Sequence, residues 1–407
     1  MRKKWGVEKV QTKLNSLAGE QWQGLKKIIM FGYGRQGKKM HKTLSRDFDI
    51  MAIVDNSPQK QGKQVAGIAI KSFEEARPLM KEYKVIVTAS QYYYKDIKQQ
   101  LMEAGLTENI DFAMYQQFVT EWYYRYKGEI NVLKTDISLT TYCTLNCEHC
   151  MQFLPYWENK KENSLEEIKD NLDIYFKCVD YLLDLDIVGG EPFLFSRLPE
   201  FIRYLGENYR HRIGYVGFIT NGTIIPKDEV LDLLAQYSIE VSISDYSKDI
   251  LYQNRVEELC KILEERNISY MRNQHIDWFD FGFPKQLYHF EGEAAVRHMQ
   301  CCNSIEHVLD DGKLYYCGLE WAAQKSGLFP AEEKGYVDLR YIADCSVEAK
   351  REILELIMAN IPDGYLEFCK VCGGFGIDNN NRVATAKQYR KESRLSMTGE
   401  EQCISKN

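Results

Sequence analysis

Short apolar runs alternate with amphipathic stretches along the first hundred residues of this 407-residue chain. The runs "KKIIMF", "FDIMAIV" and "YKVIVTAS" have the length and composition of buried strands. Helices are predicted after the first and third runs, one opening near Arg35 and one closed by Gly105. Because buried parallel strands are joined by helical crossovers, the pattern predicts a doubly wound parallel sheet.

The alternation resumes after a tyrosine-rich connector, "FAMYQQFVTEWYYRYKGEINV", whose aromatic side chains we expect to be buried between two domains. Strands are predicted at "TDISLT", "LDIVGG", "IGYVGFITNG", "IEVSIS" and "ISYMR", with an amphipathic helix in each interval. The first of these helices has Ser164 as its cap and Glu167 at its third position. This order is typical of a βα barrel, which keeps its chemistry in the loops after the strands.

Charge and composition argue against several classes of protein. The net charge is −7, so no overall basic field attracts nucleic acid or an anionic membrane. No apolar stretch approaches the length of a membrane span, and the basic start lacks the apolar run of a signal peptide. We therefore expect a cytoplasmic protein without a membrane span. In that reducing compartment, 12 cysteines indicate metal binding or catalysis more often than disulfides.

Three of the cysteines lie in "CTLNCEHC", at Cys143, Cys147 and Cys150. A disulfide knot, a zinc site, an iron–sulfur cluster and chance are the four explanations for such a group. Zinc fingers usually hold their metal with two pairs of ligands, whereas this loop offers three thiols with His149 between two of them. Three thiolates from one loop suit a cube of four irons, and they leave the fourth iron without a protein ligand.

The setting of this loop resembles the radical SAM superfamily, in which CxxxCxxC follows the first barrel strand and a GGEP motif follows the second. Here "GGEPF" follows the second strand, and the resemblance covers roughly residues 130–275. It implies that Cys143, Cys147 and Cys150 ligate a [4Fe–4S] cluster whose open iron binds S-adenosylmethionine. The family usually has an aromatic residue before the third cysteine, where this chain has a histidine that can also stack. The implied cofactor contacts are His149, Gly189, Gly190, Glu191, Pro192, Thr220, Asn221, Ser242 and Ser244.

A second cysteine group lies towards the carboxyl end. Cys302 and Cys317 bracket the turn "DDGK", which would pair two strands, and Cys369 and Cys372 form a CxxC. This layout resembles the twitch extension, a short relative of the SPASM domain, and implies an auxiliary [4Fe–4S] cluster ligated by these four cysteines. Cys301 fits the spacing almost as well as Cys302, and a structural zinc fits the same four thiols.

The glycine turn of the first domain, "GYGRQG", has the GxGxxG pattern of a dinucleotide-binding fingerprint. Residues 25–110 also resemble the small Rossmann-like domains of bacterial sugar-modifying enzymes, which implies a nucleotide-activated sugar as the ligand. NAD is a second hypothesis, and a domain kept only for packing is a third. The candidate nucleotide-binding residues are Gly32, Gly34, Arg35, Gly37, Asp55 and Asn56.

These features predict an α/β protein with five successive parts. They are a Rossmann-like doubly wound parallel sheet (1–110), a helical connector (111–130), a partial (β/α)6 radical SAM barrel (131–298), a twitch/SPASM-like cluster extension (299–375) and a tail (376–407).

The leading hypothesis is a radical SAM enzyme that takes hydrogen from a carbohydrate during surface polysaccharide biosynthesis, with a nucleotide-linked sugar as the expected substrate. The expected cofactors are S-adenosylmethionine and the two clusters, and the expected electron donor is a flavodoxin or ferredoxin. Dehydrogenation and epimerisation are both open; epimerisation needs a hydrogen donor, for which Cys178, Cys260 and Cys345 are candidates. Maturation of a ribosomally made peptide is the alternative, and it predicts a winged-helix domain at the amino end. A non-enzymatic iron–sulfur scaffold is the third hypothesis.

Overall fold

The computed structural model describes residues 16–274, 277–302, 306–343, 346–376 and 379–389. Two largely parallel sheets and the helices between their strands make up most of this part of the chain, so the predicted α/β class is confirmed. None of the described helices is long and apolar enough to cross a membrane.

The first sheet has the strand order β3-β4-β2-β1-β5-β6, and all neighbours are parallel except the β3–β4 hairpin. Its strands are β1 (Lys27–Phe31), β2 (Asp49–Val54), β3 (Gln64–Val65), β4 (Ile68–Lys71), β5 (Lys84–Val87) and β6 (Phe112–Met114). Its helices are α1 (Arg35–Leu44), α2 (Phe73–Ala76) and α3 (Gln91–Glu103). The three predicted strands and both predicted helices are confirmed. The prediction misses β3 and β6, whose two and three residues are too few to show a period, and it also misses β4, although β4 is as long as β5.

A helical connector follows the first sheet and consists of α4 (Tyr115–Gln117), a π-helical segment (Phe118–Trp122) and α5 (Tyr123–Lys127). Its aromatic side chains surround Phe48, with ring centroids 5.4 Å away for Phe118, 4.9 Å for Trp122 and 6.2 Å for Tyr123. The same buried cluster contains Tyr181 of the second sheet. The expected burial of these rings between the two sheets is confirmed.

The second sheet has the order β11-β10-β9-β8-β7-β13-β14-β15. Its neighbours are parallel from β11 to β13 and antiparallel from β13 to β15. Its strands are β7 (Asn131–Ser138), β8 (Tyr181–Val188), β9 (Ile213–Thr220), β10 (Glu240–Ser244), β11 (Tyr270–Asn273), β13 (His307–Asp310), β14 (Lys313–Tyr315) and β15 (Tyr336–Asp338). A separate pair joins β12 (Trp278–Phe279) to β16 (Arg382–Val383).

The helices of this half are α6 (Leu165–Cys178), α7 (Leu198–Asn208), α8 (Asp228–Gln236), α9 (Val256–Glu265), α10 (Gly292–Cys301), α11 (Gly318–Lys325) and α12 (Val347–Ile357). The five strands and four helices predicted from β7 to β11 are confirmed. Ser164 caps α6 as expected, since its hydroxyl accepts a hydrogen bond of 3.4 Å from the backbone N–H of Glu167. Strands β13 to β15 extend the same sheet beyond β7, so the carboxyl-terminal segment continues that sheet.

Helix α1 lies against the beginning of β8 and β9. Lys39 forms an ion pair with Asp184 and lies over the ring of Tyr215, and Lys42 Nζ donates to the carbonyl of Gly214 at 3.1 Å. Because parallel strands share their direction, these contacts hold the first sheet at the amino edge of the second. The loops after β7 to β10 lie at the opposite edge.

We expect Phe48→Ala to lower the free energy of unfolding by about 3–4 kcal/mol, because it leaves a cavity among three aromatic rings. Thermal and urea unfolding of the whole chain would measure the loss. Tyr93→Ala on α3 is the matched control, since Tyr93 is 65% exposed and its removal leaves no buried void. Equal destabilisation by the two substitutions would contradict the packing role of Phe48.

Candidate functional site

The loop after β7 brings three thiols to the carboxyl edge of the second sheet. Cys143, Cys147 and Cys150 all line one cavity of about 490 Å³. Cys143 Sγ accepts hydrogen bonds from the N–H of Leu145 at 3.4 Å and from Asn221 Nδ2 at 3.6 Å. Burial raises the pKa of the Cys143 and Cys147 thiols to about 12, so metal binding has to release their protons.

The glycines after β8 lie directly against the cysteine loop. Gly190 N–H donates to Thr140 O at 2.7 Å, and Glu191 N–H donates to Tyr142 O at 2.8 Å. A Cβ atom on Gly190 would lie 2.1 Å from Tyr142 O, and one on Gly189, where φ is +152°, would lie 2.6 Å from Thr140 O. No side chain fits at either position, because the backbone of the cysteine loop approaches too closely. Both positions therefore require glycine.

The carboxylate of Glu191 lies behind the cavity and binds the end of β9. Its Oε1 accepts from Thr220 Oγ1 at 2.9 Å and from Phe193 N–H at 3.3 Å, and its Oε2 accepts from Asn221 N–H at 2.9 Å. Burial raises the pKa of Glu191 to about 7 in spite of these donors. Between pH 4.5 and 7, Glu191 therefore keeps its proton in the folded chain, whereas in the unfolded chain, where the pKa is the usual 4.5, it loses the proton. The contribution of this proton to stability is complete below pH 4.5 and is lost as the pH rises through 7.

Ten of the residues predicted to hold the cluster or its cofactor line the same cavity. These are Cys143, Cys147, Cys150, His149, Gly189, Gly190, Thr220, Asn221, Ser242 and Ser244. Glu191 lies behind this lining, and Pro192 begins the turn Pro192–Leu194 next to it. Burial lowers the pKa of His149.

A segment near the carboxyl end contacts the cysteine loop, which no sequence motif predicts. Gln388 Oε1 accepts from Asn146 N–H at 2.9 Å, and Gln388 Nε2 donates to Cys147 Sγ at 3.5 Å. Lys387 O accepts from Glu148 N–H at 2.7 Å, and Ala386 is buried against Cys147. These residues lie in the predicted tail. Their contacts follow from tertiary folding, and no local motif marks them.

The second cysteine group also converges. Cys302 Sγ accepts from Phe375 N–H at 3.4 Å, and Cys372 Sγ accepts from Gly374 N–H at 3.3 Å. Burial, and then the neighbouring Cys317 thiol, raises the pKa of both Cys369 and Cys372.

The structure separates the two adjacent cysteines at the end of α10. Cys302 raises the pKa of the Cys317, Cys369 and Cys372 thiols, which places it with the other three cysteines, while Cys301 is the last residue of α10. The hairpin that carries Cys317 turns at Asp311 and Gly312, both with positive φ, as the "DDGK" prediction requires.

The two cysteine groups have the donors for iron–sulfur clusters: three thiols in one and four in the other. At Gly189 and Gly190 the backbone of Thr140 and Tyr142 occupies the space that a Cβ would fill, so no side chain stands between the two glycines and the cysteine loop. In the described part of the chain, no three or more His, Cys, Asp or Glu side chains are grouped closely enough to hold a metal ion as they stand.

In the glycine-rich loop of the first sheet, the predicted nucleotide-binding residue Asp55 is already occupied by donors of the protein itself. Asp55 Oδ2 accepts from Tyr33 N–H at 2.7 Å and from Lys60 Nζ at 2.9 Å. Gly32 has a φ of +105°, and a Cβ on Gly37 would lie 2.1 Å from Gly32 O, so both are required for the turn. The remaining candidates are Gly34, beside open space, Arg35, 3.9 Å from Glu240, and Asn56, bonded to Gln100 Oε1 at 3.0 Å.

Residues 137–271 match the family model described as the radical SAM superfamily, and residues 24–110 match one described as C2185-like, N-terminal. The radical SAM domain expected from the two motifs is therefore confirmed over residues 137–271, and the family implies a [4Fe–4S] cluster and S-adenosylmethionine.

A protein of Aquifex aeolicus provisionally named L-lysine 2,3-aminomutase is 33% identical over 110 residues, which are 25% of this chain and 29% of that protein. GTP 3′,8-cyclase of Alkaliphilus oremlandii is 30% identical over 147 residues, which are 35% of this chain and 44% of that protein. The chain thus spans less than half the length of each of these curated relatives.

Two solved structures are also similar to this chain. BtrN in complex with AdoMet and 2-DOIA is 14% identical over 64% of this chain and 98% of that chain, with a TM-score of 0.38. Streptococcus suis SuiB bound to S-adenosylmethionine is 19% identical over 45% of each chain, with a TM-score of 0.30.

We expect Gly190→Ala to lower iron incorporation at the first cysteine group to less than half, because its Cβ would collide with the backbone of Tyr142. Iron analysis and the cluster absorbance after anaerobic reconstitution would measure it. Gly34→Ala is the matched control, since its Cβ meets nothing within 4 Å. Full incorporation in Gly190→Ala would show that the close approach is dispensable.

Proposed function

We propose that this chain is a radical SAM enzyme that removes a hydrogen atom from a carbon of a carbohydrate. The observation that carries the proposal is the shared cavity: three thiols of one loop and the polar ends of β9 and β10 face the same space. With a [4Fe–4S] cluster and S-adenosylmethionine bound, such a site supplies a 5′-deoxyadenosyl radical that can attack an unactivated C–H bond.

The residues of this chain have distinct parts in that proposal. Cys143, Cys147 and Cys150 would hold the cluster, while Gly189 and Gly190 keep the neighbouring backbone free of side chains. The polar residues Thr220, Asn221, Ser242 and Ser244 would orient the cofactor. The apolar residues Trp278, Phe279, Phe281 and Phe375 would exclude water from the cavity.

The lining of the cavity supports a small polar substrate. Lys134, Asp136, Asp186 and Glu306 lie within it and offer the charged hydrogen-bonding groups that a carbohydrate requires. The amino-terminal residues described form a parallel α/β sheet, which is not the winged helix that the peptide hypothesis predicts. Asp55 already accepts from two donors of its own domain, so we propose a carbohydrate held within the cavity and leave the nucleotide as a variable to test.

Dehydrogenation is our proposed outcome because neither described candidate donor for epimerisation lines the cavity. Cys178 is fully buried, and its Sγ donates a hydrogen bond of 3.8 Å to the carbonyl oxygen of Leu339. Cys260 lies on α9, and Cys345 lies outside the described residues. After hydrogen abstraction, the carbon-centred radical of an alcohol would lose its hydroxyl proton to solvent and one electron to an auxiliary [4Fe–4S] cluster on Cys302, Cys317, Cys369 and Cys372. A flavodoxin or ferredoxin would reduce the first cluster.

We expect the reconstituted chain to hold about eight irons, from two four-iron clusters, and Cys302→Ala to lower this to about four. Cys301→Ala is the control and should keep about eight, because Cys302 is the residue that raises the pKa of the other three thiols, whereas Cys301 ends α10. Iron, sulfide and zinc analysis of the three proteins measures this. If the unsubstituted chain held four irons and one zinc, the second cysteine group would bind a structural zinc and no auxiliary cluster.

We expect a carbohydrate to raise 5′-deoxyadenosine formation at least about tenfold in the reduced enzyme, because bound substrate positions the C–H bond. The panel contains UDP-, GDP- and CMP-sugars, free sugars and amino sugars, and short peptides, analysed by mass spectrometry. The expected product has lost two hydrogens. Cys147→Ala should form no 5′-deoxyadenosine, and stimulation by peptides alone would refute the carbohydrate proposal.

A further inference from the structure

A group of charged residues forms the floor of the cavity, and we name it the charged floor: Lys134, Asp136, Asp186 and Glu306. Lys134 and Asp136 are two residues apart in β7 and therefore lie on the same face of the sheet. Asp186 of β8 is the direct neighbour of Asp136 in the strand register. The floor thus places carboxylates of two adjacent strands side by side.

Lys134 lies within hydrogen-bond distance of only two of the three carboxyl groups of the charged floor. Its Nζ lies 2.9 Å from Asp186 Oδ2 and 3.2 Å from Glu306 Oε1, but 3.9 Å from Asp136 Oδ1, which is too far for a hydrogen bond. Asp136 is 9% exposed, and its Oδ1 atom is buried without a hydrogen-bond partner among the described residues. A buried carboxylate oxygen without a donor is costly, so its presence requires an explanation.

The cavity carries more negative than positive charge. Lys134 is the one lysine or arginine among its described lining residues, against Asp136, Asp186, Asp277 and Glu306. His307, which lies beside Lys134, adds no charge because burial lowers its pKa to about 4. One ammonium therefore faces the acidic groups of four residues in a partly enclosed space, and burial raises the pKa of the Asp136 carboxyl well above its usual range.

The residue of β9 that lies next to Asp186 is Gly217, which has no side chain. A Cβ on Gly217 would already lie 3.4 Å from Asp186 Oδ1. A larger residue would fill the space next to the carboxylates. The glycine keeps them open to a ligand.

We propose that the charged floor binds a cationic amino group of the substrate, with Asp136 as its principal acceptor and Asp186 and Glu306 beside it. An ammonium group supplies both the positive charge and the hydrogen-bond donors that the floor lacks. This inference rests on the proposed function and narrows its substrate to an amino-substituted carbohydrate.

The test uses the full chain with its clusters loaded, saturating S-adenosylmethionine and no reductant, so that ligands bind without turnover. Two matched pairs are titrated at about pH 6.5, where the amines are protonated: glucosamine against glucose, and cyclohexylamine against cyclohexanol. We expect each amine to bind at least about tenfold more tightly than its hydroxyl partner. Equal affinities within both pairs, or no measurable binding of either amine, would overturn the proposal, as would amines that bind only by displacing S-adenosylmethionine.

Asp136→Asn keeps the shape of the side chain and should remove the preference for amines, so that each amine binds no more tightly than its hydroxyl partner. Asp170→Asn, on an exposed position of α6, is the matched control and should keep the preference. We expect Asp136→Asn to melt at the same temperature as the unsubstituted chain or higher, because the carboxylate has an unpartnered buried oxygen. A preference that survives in Asp136→Asn would overturn the assignment.

Asp186→Asn provides a second variant and should weaken amine binding even if Asp136→Asn were poorly folded. A preference for amines in both pairs, together with no turnover of any sugar, would support the charged floor and refute the carbohydrate proposal. The two proposals can therefore fail separately.

Discussion

The close approach of two backbone segments determines where the groups of the cavity lie. Gly190 meets Tyr142 so closely that no side chain fits between them, and Thr140 and Tyr142 each accept a hydrogen bond from the segment that follows β8. Glu191 links this segment to the end of β9, because its carboxylate accepts hydrogen bonds from Thr220 and Asn221. Three consecutive strand ends are thus held by short contacts, and the thiols next to them have fixed neighbours.

Acidic side chains are buried in this protein in two different ways. Glu191 is fully buried and receives three hydrogen bonds, which is the usual way to stabilise a buried carboxyl group. Asp136 has a buried oxygen with no donor among the described residues, although Lys134 lies nearby. The first arrangement serves the structure of the strand ends. The second leaves a hydrogen-bonding requirement for another molecule to meet, as functional sites often do.

The sequence predicted the features that depend on local pattern. Long apolar strands and amphipathic helices from Lys27 to Asn273 were found because each shows its own period, and the two cysteine groups were found because their spacing is fixed by the metal they suit. Strands β3 and β6, of two and three residues, are too short to show such a period. Gln388 and the charged floor were missed for another reason: their residues are far apart in sequence, and a lysine or aspartate within a strand looks like any solvated residue until its neighbours are known.

The first sheet has a physical role in the cavity that does not depend on a nucleotide. Asp184 lies two residues before Asp186 on the same face of β8, so a row of carboxylates runs from the amino edge of the second sheet into the cavity. Burial raises the pKa of Asp184, and the ammonium of Lys39 on α1 lowers it. Helix α1 thereby supplies a cation at the edge of the row, while Lys134 supplies the one inside. Removal of the first sheet would expose this edge to water and leave Asp184 without its ion pair, which supports packing against the second sheet as a role of the amino-terminal region in its own right.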